Sequence, residues 1–344
     1  MCGNEACGEG AILAGCKFYA GYPITPQNEL TAYMAKRLNE TDGVFIQAES
    51  ELAAINMVFG AAAAGERAMT SSSSPGISLK QEGISYLAGC ELPAVIVNIQ
   101  RGGPGLGNIA PSQGDYFQAV KGGGHGDYKM IVFAPASAQE LLDHTYLAFD
   151  LADKYRNPVF ILGDGLIGQM MEPIEIRATS DERRATSKPW ALTGCRGRKP
   201  NIIKSLILAE GALEEHNKKL QEKFNAMKSV ETRAVTHNIK DSDIILVAYG
   251  SVARIAKAAM EKARARNLKV GLIRPVTLWP FPDKLIGEAC ARTKKFLVVE
   301  MSSGQMVEDV RLAVNGRADV EFYGRMGGGI PSEDEILQRI EALA

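Results

Sequence analysis

Ala94-Val95-Ile96-Val97-Asn98-Ile99-Gln100, followed at once by Arg101-Gly102-Gly103-Pro104-Gly105-Leu106-Gly107, is the stretch on which the fold is decided. A short apolar run rich in β-branched residues and ended by a Gly/Pro loop reads as a strand buried on both faces. Strands of that kind belong to parallel sheets with helices on either side. The alternation continues outward from it. Between Asn4 and about Leu162, apolar runs at 44–48, 68–71, 94–100, 130–133 and 159–162 alternate with helical periods near 4–17, 27–39, 51–64, 77–89, 112–121 and 137–155. This predicts an α/β doubly wound parallel sheet, whose ligand-binding loops follow the strands.

From about Arg177 to Asp241 the chain turns polar, with a basic patch at 196–199 and a predicted helix over 203–227 whose apolar stripe is Leu206, Leu213, Leu220 and Phe224. A second αβ set follows, with runs at 244–248, 270–273, 296–299 and 320–323 and helices near 252–266, 283–291 and 305–314. Ser332 and Glu335 form a capping box for a last helix. The expected division is a first domain over 1–176, a partly helical connector over 177–241 and a smaller parallel-sheet domain over 242–344.

The chain has 344 residues, 46% hydrophobic and 23% charged, enough for more than one core. Its 39 basic and 40 acidic side chains leave a net charge of -1, no field for gathering nucleic acid or lying on an anionic membrane. The opening MCGNEACGEGA lacks the basic and apolar regions of a signal peptide, and the apolar stretch 53–64 is too short to span a bilayer. A cytoplasmic chain is expected. The six cysteines, at 2, 7, 16, 90, 195 and 290, contain no Cys-x-x-Cys pair, so no zinc ribbon or iron–sulfur site is readable.

Several residues could carry chemistry. Tyr22-Pro23-Ile24-Thr25-Pro26 is a proline-stiffened loop that would hold the Thr25 hydroxyl in a fixed direction, or is simply a turn. Glu51 stands where a strand gives way to a nearly apolar helix; it is either a first-turn residue favoured by the helix dipole or a carboxyl able to keep its proton and donate to a heterocycle. Glu49 competes with it. Arg101, at a strand end beside a loop of little bulk, could grip a carboxylate with two parallel hydrogen bonds, or be solvated. The segment Gly105-Leu106-Gly107-Asn108-Ile109-Ala110 fits a dinucleotide fingerprint, but it starts too far from the strand and Pro111 follows where a helix should run. The serine run 71–74 could line a polar ligand or cap a helix. His125, between glycines, could face a site or solvent.

Together these segments resemble the 2-oxoacid:ferredoxin oxidoreductases, specifically the large subunit of the branched-chain type. The resemblance rests on residues 21–30 (GYPITPQNEL), 47–57 (QAESELAAINM), 70–83 (TSSSSPGISLKQEG), 100–107 (QRGGPGLG), 121–127 (KGGGHGD) and 163–172 (GDGLIGQMME). It implies a thiamine pyrimidine-binding domain first and a transketolase-C-terminal-like domain second. It assigns Thr25 and Arg101 to the 2-oxoacid carboxylate and Glu51 to N1′ of thiamine diphosphate, with Tyr22, Pro23, Ile24 and Ser74 lining the cofactor. It further implies coenzyme A as acyl acceptor, ferredoxin as electron acceptor, and a ferredoxin-like iron–sulfur subunit. One departure is informative: Gly163-Asp164-Gly165 looks like the start of a thiamine-enzyme Mg2+ motif, yet no Asn lies between Asn157 and Asn201. That GDG is expected to be a turn, with the diphosphate, Mg2+ and 4Fe-4S clusters on a separate beta subunit and its partners, and the isolated chain inactive. The Gln27-Asn28 pair and the GGPGLGN loop resemble the 2-oxoisovalerate type. A 2-oxoglutarate or pyruvate enzyme, a non-catalytic scaffold subunit and a nicotinamide dehydrogenase are the competing readings.

Overall fold

The computed structural model describes residues 1–176 and 187–344; residues 177–186, the start of the expected connector, lie outside the described residues. Its first part contains β1 (Phe18–Gly21), β2 (Val44–Gln47), β3 (Ala68–Ser72), β4 (Ala94–Gln100), β5 (Ile131–Phe133) and β6 (Pro158–Asp164). The helices between them are α1 (Gly3–Leu13), α2 (Asn28–Glu40), α3 (Glu51–Ala63), α4 (Pro75–Gly89), α5 (Tyr116–Val120), α6 (Ala138–Tyr155) and α7 (Gly165–Gln169). After the long helix α8 (Ala212–Val230) come β7 (Ala234–His237), β8 (Ile244–Val247), α9 (Gly250–Ala265), β9 (Val270–Pro275), β10 (Thr277–Trp279), α10 (Asp283–Ala289), β11 (Lys295–Glu300), α11 (Met306–Val314), β12 (Asp319–Gly324) and α12 (Glu333–Leu343).

The stretch that opened the sequence reading forms β4, near the middle of a seven-stranded sheet of order β10-β5-β6-β4-β3-β1-β2. Val95, Ile96, Val97 and Ile99 of β4 have no exposed surface, each burial contributing about 1.5–3 kcal/mol. β4 runs parallel to both neighbours, Val97 opposite Ser71 of β3 and Ile161 of β6. From β1 the chain steps outward to β2, then returns past β1 to β3 and β4, so the strand order reverses between β1 and β3. A doubly wound sheet opens a crevice at such a reversal, at the carboxyl ends of the strands.

The second sheet has the order β12-β11-β8-β9-β7. Here the expectation of an all-parallel sheet needs correcting: β7 runs antiparallel to β9 at one edge. The first sheet also gains an antiparallel edge, because β10 leaves the second part of the chain to pair with β5, Thr277 opposite Phe133 and Trp279 opposite Val132. The four-residue β1 was not among the predicted runs, and the predicted helix 4–17 before it ends at Leu13, ahead of Gly15 at a φ of 78°. Of the predicted helix 112–121 only α5 forms. Ser112 and Gln113 bond across to the second unit instead, the Gln113 amide donating to the Met301 carbonyl at 2.8 Å. The predicted helix 203–227 begins at Ala212, after Gly211 at a φ of 73°; Leu206 is left 70% exposed, and the buried stripe of α8 is Leu220, Phe224 and Met227.

Candidate active site

The loops after β1, β3 and β4 and the start of α3 meet at the reversal point. In the loop after β1, Asn4 of α1 donates to the Pro26 carbonyl at 2.8 Å and Asn28 donates to the Thr25 hydroxyl at 3.2 Å. Arg101, directly after β4, reaches across to this loop. Its Nη1 donates to the Thr25 carbonyl and its Nη2 to the Leu106 carbonyl, both at 2.9 Å. Thr25 and Arg101 are thus brought together, and the guanidinium is fixed by backbone oxygens that use only part of its donor set. Its Nε is buried without a partner among the described residues.

Ser74, between β3 and α4, supports that arginine. Its backbone is held at a φ of 28°, a conformation worth about 1–3 kcal/mol of strain in a residue other than glycine. The compensation is a set of hydrogen bonds. The Ser74 amide donates to Asn98 Oδ1 at 2.9 Å, and its hydroxyl donates to Asp115 at 2.6 Å while accepting the Arg101 amide at 3.0 Å. Burial pushes the Asp115 carboxyl up against the opposing bonds from Ser74 and Asn98. The Ser74 hydroxyl is therefore engaged by the chain, whereas those of Ser72 and Ser73 are buried without a partner among the described residues.

Glu51 is the first residue of α3 and only 6% exposed. The cap is its neighbour Ser50, whose hydroxyl accepts the Ala53 amide at 3.1 Å, so Glu51 is not needed for that role. Among the described residues its carboxylate accepts no hydrogen bond. It faces Gly76 of α4 closely: a Cβ there would lie 2.5 Å from Glu51 Oε1 and 2.1 Å from Ser72 Oγ. Glu51, Ser72 and Gly76 are therefore packed together where β3 leads into α4. The competing Glu49 is exposed. Tyr22 is 39% exposed, Pro23 exposed and Ile24 half-buried on the outer wall.

Other candidates fall elsewhere. Gly107 has a φ of 60°, and a Cβ on it would lie 1.6 Å from the Gly102 carbonyl, so the glycine loop folds on itself instead of opening a dinucleotide helix. His125 lines a separate cleft of about 390 Å³ with Tyr86 and His216. Asp164 of the GDG caps α7, accepting the Leu166 and Ile167 amides at 2.9 and 3.1 Å, and takes the Ser251 hydroxyl of the second unit at 2.7 Å. Both its oxygens are in use; the GDG is a strand-to-helix turn. Among the described residues no group of three His, Cys, Asp or Glu side chains is placed to hold a metal ion. No helix of the described residues is long and apolar enough to cross a membrane.

Sequence reading singled out the serine run 71–74 but neither Gly76 nor the buried Lys80. For Lys80 a signal existed: it falls on the helical stripe Ile77, Lys80, Gln81, Ile84, Leu87, every member of which is buried.

Residues 9–239 match the model of the pyruvate flavodoxin/ferredoxin oxidoreductase thiamine-diphosphate-binding domain, and residues 242–336 match pyruvate:ferredoxin oxidoreductase core domain II. The chain belongs to the 2-oxoacid:ferredoxin oxidoreductase family. It is 52% identical over 342 residues to the ketoisovalerate oxidoreductase subunit VorB of Methanothermobacter marburgensis, covering 99% of this chain and 97% of that relative. The 2-oxoglutarate synthase subunit KorA of the same organism is 38% identical, over 99% of this chain and 98% of its own length. Among solved structures, the 2-oxoglutarate:ferredoxin oxidoreductase from Magnetococcus marinus superposes with a TM-score of 0.86 at 30% identity over 99% of this chain. The chain spans 64% of the length of that larger family member. A split gene transketolase in an inactive beta4 tetramer, at 14% identity and a TM-score of 0.59, shares the fold. The expected family and α/β fold class are both borne out.

Proposed function

We propose that this chain is the large alpha subunit of a complex that oxidatively decarboxylates 2-oxoisovalerate to the branched acyl-CoA, passing two electrons to ferredoxin and releasing CO2. The observation that carries the reading is the bond of Arg101 to the Thr25 loop, together with a buried Glu51 carboxylate at the start of α3 that accepts no hydrogen bond from the described residues. End-to-end identity of 52% with ketoisovalerate oxidoreductase subunits favours the branched-chain acid over 2-oxoglutarate or pyruvate.

The chemistry of Glu51, Ser72 and Ser73 suits the aminopyrimidine half of thiamine diphosphate. Ser72 and Ser73 offer buried hydroxyls that lack partners among the described residues, and the missing Cβ of Gly76 lets the Glu51 carboxylate and the Ser72 hydroxyl come close to the start of α4. Bound there, the cofactor would supply the nucleophile for the keto carbon and the electron sink for loss of CO2. Glu51 holds a proton at the ring's N1′. The unused N–H groups of Arg101 bind the substrate carboxylate as a charge-assisted pair, with the Thr25 hydroxyl as a further donor. Tyr22, Pro23 and Ile24 form the outer wall, and Ser74 acts through Arg101. In this reading residues 1–176 are the pyrimidine domain, 177–241 the connector and 242–344 the transketolase-C-terminal-like domain.

Since Asp164 is committed to α7 and Ser251, the diphosphate and its Mg2+ are assigned to a beta subunit. The 4Fe-4S clusters belong to that subunit and a ferredoxin-like one. Coenzyme A receives the acyl group, and the complex works in the cytoplasm. The test is turnover by this chain reconstituted with its beta and ferredoxin-like subunits, given thiamine diphosphate, Mg2+, coenzyme A and an electron acceptor. Faster turnover of 2-oxoisovalerate than of 2-oxoglutarate or pyruvate is expected, and none by the chain alone. Preference for another acid would overturn the substrate assignment; turnover by the single chain would overturn the shared site. Full turnover of a Glu51→Ala complex would leave a scaffold subunit as the reading.

A further inference from the structure

The strap over residues 112–117, between β4 and α5, is bonded along one edge to the second unit. Gln113 has no exposed surface. Its side-chain amide donates to the Tyr249 carbonyl at 2.9 Å, its side-chain oxygen accepts the Met301 amide at 3.0 Å, and its own amide donates to the Met301 carbonyl at 2.8 Å. One residue on, the Gly114 carbonyl accepts Gln305 Nε2 at 2.7 Å, and the Phe117 amide donates to Gln305 Oε1 at 2.7 Å. The Tyr116 hydroxyl completes the row on Asp309 at 2.6 Å. Tyr249, Met301, Gln305 and Asp309 all belong to the second unit, which therefore holds the strap at successive positions. Displacing it would strand buried donors and acceptors on both sides, which is costly.

At Asp115 the strap turns to the arginine. The Asp115 amide donates at 3.0 Å to Oε1 of Gln100, the residue before Arg101. Its Oδ2 accepts both the Ser74 hydroxyl at 2.6 Å and Asn98 Nδ2 at 2.9 Å. The Ser74 oxygen in turn accepts the Arg101 amide at 3.0 Å. A serine at a φ of 28° persists only where its surroundings over-determine it, and Asp115 is the acceptor that fixes its hydroxyl. A continuous row of bonds and short chain links thus runs from Met301 and Gln305 through Gln113, Gly114 and Asp115 to Ser74 and the backbone of Arg101.

We propose that Asp115 is a positioning residue for Arg101, and that the second unit, through Gln113 and Gln305, fixes the place from which that arginine grips the 2-oxoacid carboxylate. The inference rests on the reading of Arg101 as that grip. Asp115 acts through Ser74 and the backbone, and the second unit acts through Asp115. Glu51 is bonded to none of these groups among the described residues, so the effect belongs to KM for the 2-oxoacid far more than to kcat.

The experiment measures kcat and KM for 2-oxoisovalerate in the reconstituted complex, with assembly checked by size and thermal unfolding. Wild type is compared with Asp115→Ala, Asp115→Asn, Gln305→Ala, Arg101→Lys and the double variant Asp115→Ala/Arg101→Lys. Asp115→Ala removes the acceptor of both side-chain bonds and should raise KM about tenfold, the factor for a lost hydrogen bond to a charged group, with kcat little changed. Asp115→Asn can set its amide oxygen where Oδ2 stands and should bring KM back near that of wild type. Gln305→Ala loosens the strap from the second unit and should raise KM about threefold, the factor for one neutral hydrogen bond. In the double variant KM should rise by less than the product of the two single changes, since both act on one guanidinium. A purely structural role would lower the unfolding temperature and leave KM alone. Wild-type KM in an assembled Asp115→Ala complex, where Arg101→Lys raises it, overturns the proposal, as does an Asn variant as impaired as the Ala variant or a fully multiplicative double variant. If Asp115→Ala does not assemble, wild-type KM in Gln305→Ala overturns it. An unchanged KM in Arg101→Lys overturns the reading of Arg101 instead, so the two failures are distinguishable.

Discussion

Two glutamates occupy comparable places in the two sheets, each where a strand gives way to a helix, and their surroundings are opposite. Glu300, at the end of β11, has no exposed surface and accepts the amides of Gln305, Met306 and Val307 together with the Ser302 hydroxyl. Its carboxylate closes the start of α11. Glu51 accepts no hydrogen bond from the described residues, because Ser50 has taken over the capping of α3. The same side chain is structural where the backbone saturates it and available for chemistry where a neighbour relieves it. Burial alone does not separate the two; the count of bonds already made does.

The contrast is broken most directly by the isosteric change at each glutamate. Glu51→Gln should lower turnover of the assembled complex about 10²–10⁴-fold, the range for a lost proton-handling group, and leave its thermal unfolding unchanged. Glu300→Gln should do the reverse, costing about 1.5–3 kcal/mol of stability in denaturant titrations while the folded enzyme turns over normally. Next in size is Gly76→Ala, whose Cβ would press on Glu51 Oε1 and Ser72 Oγ. A displacement of that order at a reacting group costs about 10²-fold, to be seen in kcat and in the thiamine diphosphate concentration needed for half activity. Arg101→Lys keeps the charge but loses the fork, and should raise KM for the 2-oxoacid about tenfold or more with a smaller change in kcat.

The smallest effect is expected at the bidentate pair of Arg274 with Glu140, both bonds at 2.7 Å. Burial works to raise the Glu140 carboxyl, but the Arg274 bonds and charge outweigh it and hold it below its ordinary value. A depressed carboxyl stabilises the fold above its unfolded value of about 4.3 and ceases to do so as the pH falls through the folded value. Arg274→Met should therefore cost about 1–2 kcal/mol at neutral pH and flatten the stability curve at its acid end, as equilibrium unfolding against pH would record.

Much of this was legible in the sequence because it is local. β4 and β6 are built on runs of apolar residues that no helix period accommodates, and the glycines that end those runs mark where the loops begin. Glu51 and Arg101 were each placed after a strand, and the structure joins Arg101 to the Thr25 loop. What escaped depends on partners distant in the chain. β1 is four residues long and became a strand by fitting between β2 and β3. β7 and β10 are short edge strands whose pairing nothing in their own composition announces. The serine run looked uniform, yet Ser74 is consumed by Asp115 and Arg101 while the hydroxyls of Ser72 and Ser73 have no partner among the described residues. Lys80 reads as a solvated residue unless its position on the α4 stripe is weighed above its charge.

β10 has a consequence for how such chains can be recombined. The two family matches meet between residues 239 and 242, as if the chain were two interchangeable modules. Yet Thr277–Trp279, well inside the second match, closes the outer edge of the first sheet. A gene split at the seam would hand the upstream product an unprotected β5 edge, an invitation to pair with other chains. A chimera exchanging the downstream module would need to import a strand that fits Val132 and Phe133. Modularity here stops short of the covalent boundary, and any rearrangement of the gene has to move the loaned strand with its borrower.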